Sequence, residues 1–421
     1  MYKSKILNVF LLSIFAASAT YALEVSTDTT QTKASTKTKK KKPKTSKHAF
    51  GASIETGLGY DSNPYLTPNV SYFDLTNTGG GALIEPNVQG GFFIPIKLNA
   101  DYEYRLKKDI RLIADAKFDG KYFTDANLKN ADQYKTEAAA GVRFRFNKYK
   151  KETNHLEMKA LAGNVDKVYV DHDDGTLKLT GTALNDQSNR YKYRQVGAEV
   201  KYVYDFKKID FLVRARYEDR DYEEPATWSS LDHKYSKVKI QGGYQFTKAF
   251  HLGAYYEYAL RDYRERKSYQ INPDGTISLV NPGVKFTYHS VKAYADYKIS
   301  KAYKMSLDYL LTSRVDDNQG YSDYLYHSIT FSNNYKISKD LRAYLDLNYY
   351  LYDYTNAYAY DTDITLPRKE AEGYDISLRT KYRISADLST KIELSFHDAS
   401  SEDKRYNYDE MIAMATLKYT F

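Results

Sequence analysis

From Ala49 to the C-terminus, apolar and polar residues alternate with a period of two, segment after segment. One segment sets Ile110, Leu112, Ala114, Ala116 and Phe118 against Arg111, Asp115, Lys117, Asp119 and Lys121. Another sets Phe250, Leu252, Ala254, Tyr256, Tyr258 and Leu260 against His251, Glu257 and Arg261. A third alternates Leu341, Ala343, Leu345, Leu347 and Tyr349 with Arg342, Tyr344, Asp346 and Asn348. The last runs Met411, Ala413, Ala415, Leu417, Tyr419, Phe421, with Glu410, Thr416, Lys418 and Thr420 between. Successive side chains of an extended strand point to opposite faces, so each segment predicts a strand with one apolar and one wet face.

The segments are joined in a regular way. A phrase of aromatic, any residue, apolar residue, then a short turn bearing Lys or Asp, recurs at Tyr104-Arg105-Leu106, Phe144-Arg145-Phe146, Tyr204-Asp205-Phe206 and Tyr244-Gln245-Phe246. It returns at Tyr297-Lys298-Ile299, Tyr335-Lys336-Ile337 and Tyr382-Arg383-Ile384, and Tyr419-Thr420-Phe421 is an eighth copy at the terminus. Eight copies, each ending a descending strand, predict eight hairpins and sixteen strands. The opposite connections are longer, among them Asp61 to about Gly90, Asp171 to Ser188, Glu223 to His233, Lys267 to Lys285 and Asn356 to Gly373. The expectation is an all-β chain: a single antiparallel transmembrane β-barrel of about sixteen strands, with short periplasmic turns and long extracellular loops. A soluble sandwich array or propeller would alternate too. The 45 tyrosines, concentrated towards the ends of the outward faces, are harder to place there than at two membrane interfaces.

Residues 1–22 carry Lys3 and Lys5, an apolar run from Ile6 to Ala19, and small residues up to Ala22, the pattern of a cleaved secretory signal peptide. Residues 23–48 are rich in Ser, Thr and Lys and include Lys39, Lys40, Lys41 and Lys42, which predicts a disordered periplasmic arm. The arm reads either as a solvated tether or as a contact for anionic envelope polymers. The barrel domain is then 49–421, placed in the outer membrane. The formal charge is +8, but without the signal and arm fifty-two cations face fifty-two carboxylates, so no nucleic-acid groove is indicated. There is no cysteine, which excludes disulfides and leaves packing and ladder bonds to hold the chain.

The closing strand, with Tyr419 and Phe421, resembles that of bacterial outer-membrane β-barrels. In that family the terminal aromatic strand is an address read by the assembly machinery. The resemblance implies outer-membrane lipid and lipopolysaccharide, the barrel assembly machinery and periplasmic chaperones as partners, and leaves monomer or trimer open. Gly59-Tyr60-Asp61-Ser62-Asn63-Pro64-Tyr65 resembles the opening strand of putative β-barrel porins of the exopolysaccharide-associated group, and more distantly the barrel of surface lipoprotein assembly modifiers. The helical repeats of those modifiers, a transporter plug and insertase repeats have no counterpart before the strand. The same residues also suit a strand running into an Asx and proline turn.

The inward polar positions predict the lining of a pore: Arg111, Asp115, Lys117, Arg143, Arg145, Arg214, Arg216, Glu218, Glu257, Arg261, Asp308, Arg342, Asp346, Arg379 and Lys381. Both signs alternate at about 7 Å on one face, close to the Debye length of roughly 8 Å, so the lumen is expected to be weakly selective. Sixteen strands enclose water, which makes passive diffusion of small hydrophilic solutes the leading function. The alternative is a non-conducting or export-associated surface barrel whose loops bind polysaccharide or another envelope component. No enzyme, cofactor or metal is expected. Asp171-His172-Asp173-Asp174-Gly175 lacks the spacing of a calcium loop, and Ser395 and His397, on the inward face of one strand and expected near His251 and Glu393 on polar faces, do not form a nucleophile–base–acid series by spacing. Inward tyrosines 191, 193, 263, 324, 326, 350, 352, 406 and 408 suit either a packed rim or a sugar-stacking track.

Overall fold

The computed structural model describes residues 47–73, 83–147, 152–166, 191–223 and 231–421. The signal segment, residues 23–46 and Asp171–Gly175 lie outside them.

Sixteen long strands pair in chain order, each antiparallel to its neighbours, and the last closes on the first. They are β1 (His48–Asp61), β2 (Gly91–Arg105), β3 (Ile110–Phe123), β4 (Gln133–Arg145), β5 (Thr153–Asp166), β6 (Tyr193–Phe206), β7 (Ile209–Tyr222) and β8 (His233–Gln245). The second half comprises β9 (Phe250–Tyr263), β10 (Lys285–Lys298), β11 (Tyr303–Asp316), β12 (Tyr324–Lys336), β13 (Leu341–Tyr358), β14 (Arg368–Arg383), β15 (Leu388–Ser401) and β16 (Tyr408–Thr420). The expected fold class and strand number are therefore observed. No helix among the described residues is long and apolar enough to cross a membrane. A closed barrel needs none, because every backbone group finds its partner in the ladder.

The recurrent turn phrase has a physical cause. In four successive turns a hydroxyl accepts two backbone N–H groups of the returning chain. Thr247 Oγ1 takes those of Ala249 and Phe250 at 3.1 and 3.0 Å, and Ser300 Oγ those of Ala302 and Tyr303 at 3.1 and 3.0 Å. Ser338 and Ser385 repeat the bond pattern. Each such turn is specified by one Ser or Thr placed just after the last apolar residue of the descending strand.

The pleat then sorts the side chains. Ile54, Leu58, Leu98, Val196, Ile240, Leu307, Ile329 and Leu417 are exposed on the outer face. Their polar neighbours share the inner face, and the register aligns them round the wall. One row runs Arg143, Glu157, Lys201, Arg214, Lys239, Glu257, one residue from each of β4 to β9.

Hydrophobic packing sits at the loop end rather than in the lumen. Tyr65 packs with Phe93, Phe123, Leu128 and Ala131; Tyr191 with Leu231, Tyr263, Val284 and Phe286; Tyr321 with Tyr354 and Ala357. The β9–β10 loop forms a ribbon, Lys267–Ile271 against Ile277–Pro282, that leans across its neighbours. Tyr269 lies against Tyr321 of the β11–β12 loop, ring centroids 5.2 Å apart and tilted by 37°, and Ile364 N of the β13–β14 loop donates to Gly275 O at 3.4 Å.

Candidate pore lining

The row from Arg143 to Glu257 is the centre of an ion-pair web on the inner face of β2 to β9. Arg143 reaches Glu157 and Glu103, both at 2.7 Å. Arg111 also binds Glu103, and Arg145 lies 3.8 Å from it. Asp115 pairs with Lys159, two strands away. Arg216 spans three strands to Glu137 at 2.7 Å, and lies 3.7 Å from Glu199. Glu218, only 2 % exposed, sits between Arg216 and Arg220 on its own strand. Arg214 lies 3.8 Å from Glu199, and Glu257 pairs with Lys237 at 2.9 Å.

Towards the other half of the wall the web thins. Asp308 pairs with Lys292 at 2.7 Å, and Asp346 with Arg379. On β12 the inner face offers Ser328, Thr330 and Ser332 instead of charges, with Ser328 and Thr330 both donating to Asn348 Oδ1. Arg261 is held over the ring of Tyr288 at 5.1 Å. Lys117, Arg342 and Lys381 are exposed on the inner face and have no carboxylate within 4 Å among the described residues. Sequence reasoning named one side of most of these pairs and missed Glu103, Glu137, Glu157, Glu199, Lys159 and Lys237. The period-two pattern carried that signal, since all six occupy inward positions.

Lys239 also has no carboxylate within 4 Å among the described residues; its ammonium lies 3.6 Å from the centroid of Tyr255. Similar cation–aromatic contacts ring the loop end. Arg220 faces Tyr235 at 4.4 Å, Arg314 faces Tyr324 at 4.2 Å, and Lys369 faces Tyr406 at 4.8 Å. Their spacing along the chain gave no hint of this layer, because each cation and its ring come from different segments of the chain.

The inward tyrosines belong to it. Tyr191, Tyr263, Tyr350, Tyr406 and Tyr408 are all buried, and Tyr324, Tyr326, Tyr350, Tyr352 and Tyr354 lie against one another. Three of these five ring contacts are edge to face, the arrangement of a packed rim.

The polar groups singled out for hydrolytic chemistry are not brought together. Ser395 Oγ donates to Ser377 Oγ at 3.2 Å, whereas His397 binds Asp375 and lies 3.0 Å from Tyr408 Oη. His251, expected near them, sits at the turn end of β9, bonded to Asp210 at 2.7 Å. That expectation failed because alternation fixes the face of a strand but not the height or the sector.

No family profile and no curated protein matches the chain. Among solved structures, a loop-deletion form of the outer-membrane protein OmpT of Vibrio cholerae is 13 % identical with TM-score 0.47, covering 89 % of this chain and 99 % of that one. An anion-selective porin from Comamonas acidovorans is 11 % identical with TM-score 0.45, covering 89 % and 99 %. A bacterial polysaccharide outer-membrane secretin is 8 % identical with TM-score 0.42, covering 88 % and 98 %. Likeness of this order concerns architecture and says nothing of what crosses the wall.

A closed sixteen-stranded wall, apolar outside and charged inside, defines a transmembrane β-barrel of the outer-membrane, porin-like class.

Proposed function

We propose that the protein is a water-filled channel for passive diffusion of small hydrophilic solutes, with a weak preference for anions. The observation that carries this is the state of the lining charges. Most are neutralised by partners on the same or a nearby strand of the wall, so the pairs described above lie along the wall and do not cross the lumen. Among the described residues, the inward charges with no ion-pair partner within 4 Å include the cations Lys117, Lys135, Lys239, Arg342 and Lys381 and the carboxylates Asp101, Asp205 and Glu410, a small excess of cations. Fixed charges of one sign raise the local concentration of the opposite ion.

Reversal potentials in planar bilayers under a potassium chloride gradient test this. A modest excess of chloride over potassium permeability is expected, and Lys239→Glu with Lys381→Glu should move it towards potassium. Strong cation selectivity of the wild-type protein would overturn the assignment of the lining.

A second reading has one observation in its favour. The ribbon of the β9–β10 loop leans over two neighbouring loops, as it would in a surface barrel that binds polysaccharide without conducting. Absence of any conductance would select it.

Arrival in the outer membrane involves, in the same proposal, cleavage of the signal peptide near Ala19 or Ala22 and assembly through Tyr419 and Phe421. Phe421 N donates to Ala52 O at 2.9 Å, and its ring meets Tyr419 edge-on at 4.9 Å. The terminal aromatic pair is therefore exposed on the outer wall at the closing seam.

A further inference from the structure

We infer that the channel rectifies: its turn-side mouth is lined by lysines and its loop-side mouth by carboxylates, so ions converge in the lumen under one polarity and drain from it under the other. This rests on the channel reading above and goes beyond it, since a conducting pore need not rectify.

The two ends of the barrel carry opposite charge although the domain as a whole is neutral. Among the described residues, the segment before β1 and the seven turns hold eight lysines, all exposed, against four carboxylates and the chain's own C-terminus. Lys107, Lys108, Lys207, Lys208, Lys248 and Lys301 are six of them. A cavity of about 350 Å³ opens at this end, where Lys298 and Lys304 join three of those turn lysines, five cations against the carboxylates of Asp205, Asp210 and Asp296. At the other end the eight loops hold thirteen carboxylates against seven cations among the described residues.

The consequence follows from counter-ion distribution. The lysine mouth concentrates anions and the carboxylate mouth concentrates cations. When the loop side is positive, anions enter from the turn side and cations from the loop side. Both accumulate between the mouths, and conductance rises. Opposite polarity pulls each species out through the mouth that concentrates it, and the middle is depleted. The reach of the fixed charges sets the salt dependence. The Debye length is about 10 Å near 0.1 M and about 3 Å near 1 M, so rectification belongs to low salt. The direction favoured is outward for small anions and inward for small cations.

Single channels in planar bilayers give the test. Because the chain lacks cysteine, Val88→Cys in the exposed β1–β2 loop can be biotinylated, and streptavidin added to one chamber reports which way the loops face. At equal and opposite voltages the current should be larger with the loop side positive, by a factor above about 1.5 near 0.1 M and close to unity near 1 M. Combined Lys107→Glu, Lys108→Glu, Lys248→Glu and Lys301→Glu should bring the low-salt ratio close to unity. Glu85→Lys with Glu402→Lys should do the same from the other mouth, which keeps the test decisive should the first variant fail to fold. A linear current–voltage relation of the wild-type protein at low salt, the opposite polarity, or a ratio unmoved by both variants overturns the inference while leaving the channel standing. Absence of conductance overturns both.

Discussion

Glu218 is the residue on which the densest part of the lining depends. Its carboxylate is buried between Arg216 and Arg220, and Arg220 approaches it through both Nε and Nη2, at 2.9 and 2.6 Å. Glu218→Gln would leave two guanidinium groups facing each other without their shared counter-ion. Breaking a buried pair in this way costs about 3–5 kcal/mol. A clear fall in the urea midpoint of the detergent-solubilised barrel is expected, while Lys117→Gln, which removes an exposed charge, should leave it nearly unchanged. Equal midpoints for the two variants would show that the pairing contributes nothing.

Asp403 plays a comparable part in the β15–β16 loop, outside the membrane-spanning strands. It is fully buried, and Arg405 bonds it through Nε at 2.9 Å and Nη2 at 2.7 Å. Burial alone would raise its pKa, but the hydrogen bonds and charge of Arg405 outweigh that, and the net shift is downward. A carboxyl lowered by folding stabilises the folded loop above its unfolded pKa of about 3.9 and loses that contribution as pH falls through the folded value. Amide exchange over Glu402–Asn407, corrected for intrinsic rates, should therefore accelerate at acid pH. In Asp403→Asn it should already be fast at neutral pH.

At the scale of elements, the seam between β1 and β16 is the shortest in the wall. It has nine paired positions, against twelve to fourteen at the other seams. The segment after β1 extends it. Ser62 N donates to Met411 O at 3.0 Å, Met411 N donates to Ser62 Oγ at 2.8 Å, and Asn69 N donates to Asn407 O at 2.8 Å. Asn63 ties the clasp together: its Nδ2 donates to Thr67 O and Asp409 O at 2.8 and 3.1 Å, and its Oδ1 accepts from Thr67 N at 2.8 Å. Asn63→Ala leaves these backbone groups unpaired, each worth about 1–3 kcal/mol when buried. The variant should run as the unfolded form at a lower temperature in heat-modifiability gels. An unchanged transition would mean that the ladder alone closes the barrel.

This clasp was only half legible. The turn at Asp61–Asn63 follows from the residues themselves, and Asn63 N does donate to Asp61 Oδ1 at 2.8 Å. Its partner segment, more than three hundred residues away in sequence, could not be read from that motif. The four turns built on Thr247, Ser300, Ser338 and Ser385 were fully legible, because a hydroxyl two or three residues from its donors needs no tertiary information.

For the whole molecule, the ladder begins at Lys47, whose carbonyl accepts from Arg105 N at 2.7 Å, slightly inside the segment assigned to the arm. Removing residues 24–46 is expected to leave the unfolding temperature of the barrel unchanged, since the ladder from Lys47 onward is complete without them. Calorimetry of the two forms in detergent checks this, and a drop of many degrees would assign the arm a place in the folded structure.

The sequence by itself determined the class of fold, the number of strands, the turns and which face of each strand is polar, because period two and local hydrogen bonding act over a few residues. Only the tertiary structure decided which charges meet and which tyrosines lie against one another. Those properties depend on register and height between strands from distant parts of the chain. Closing the barrel fixes both at once, since each strand must satisfy two neighbours and the last must meet the first.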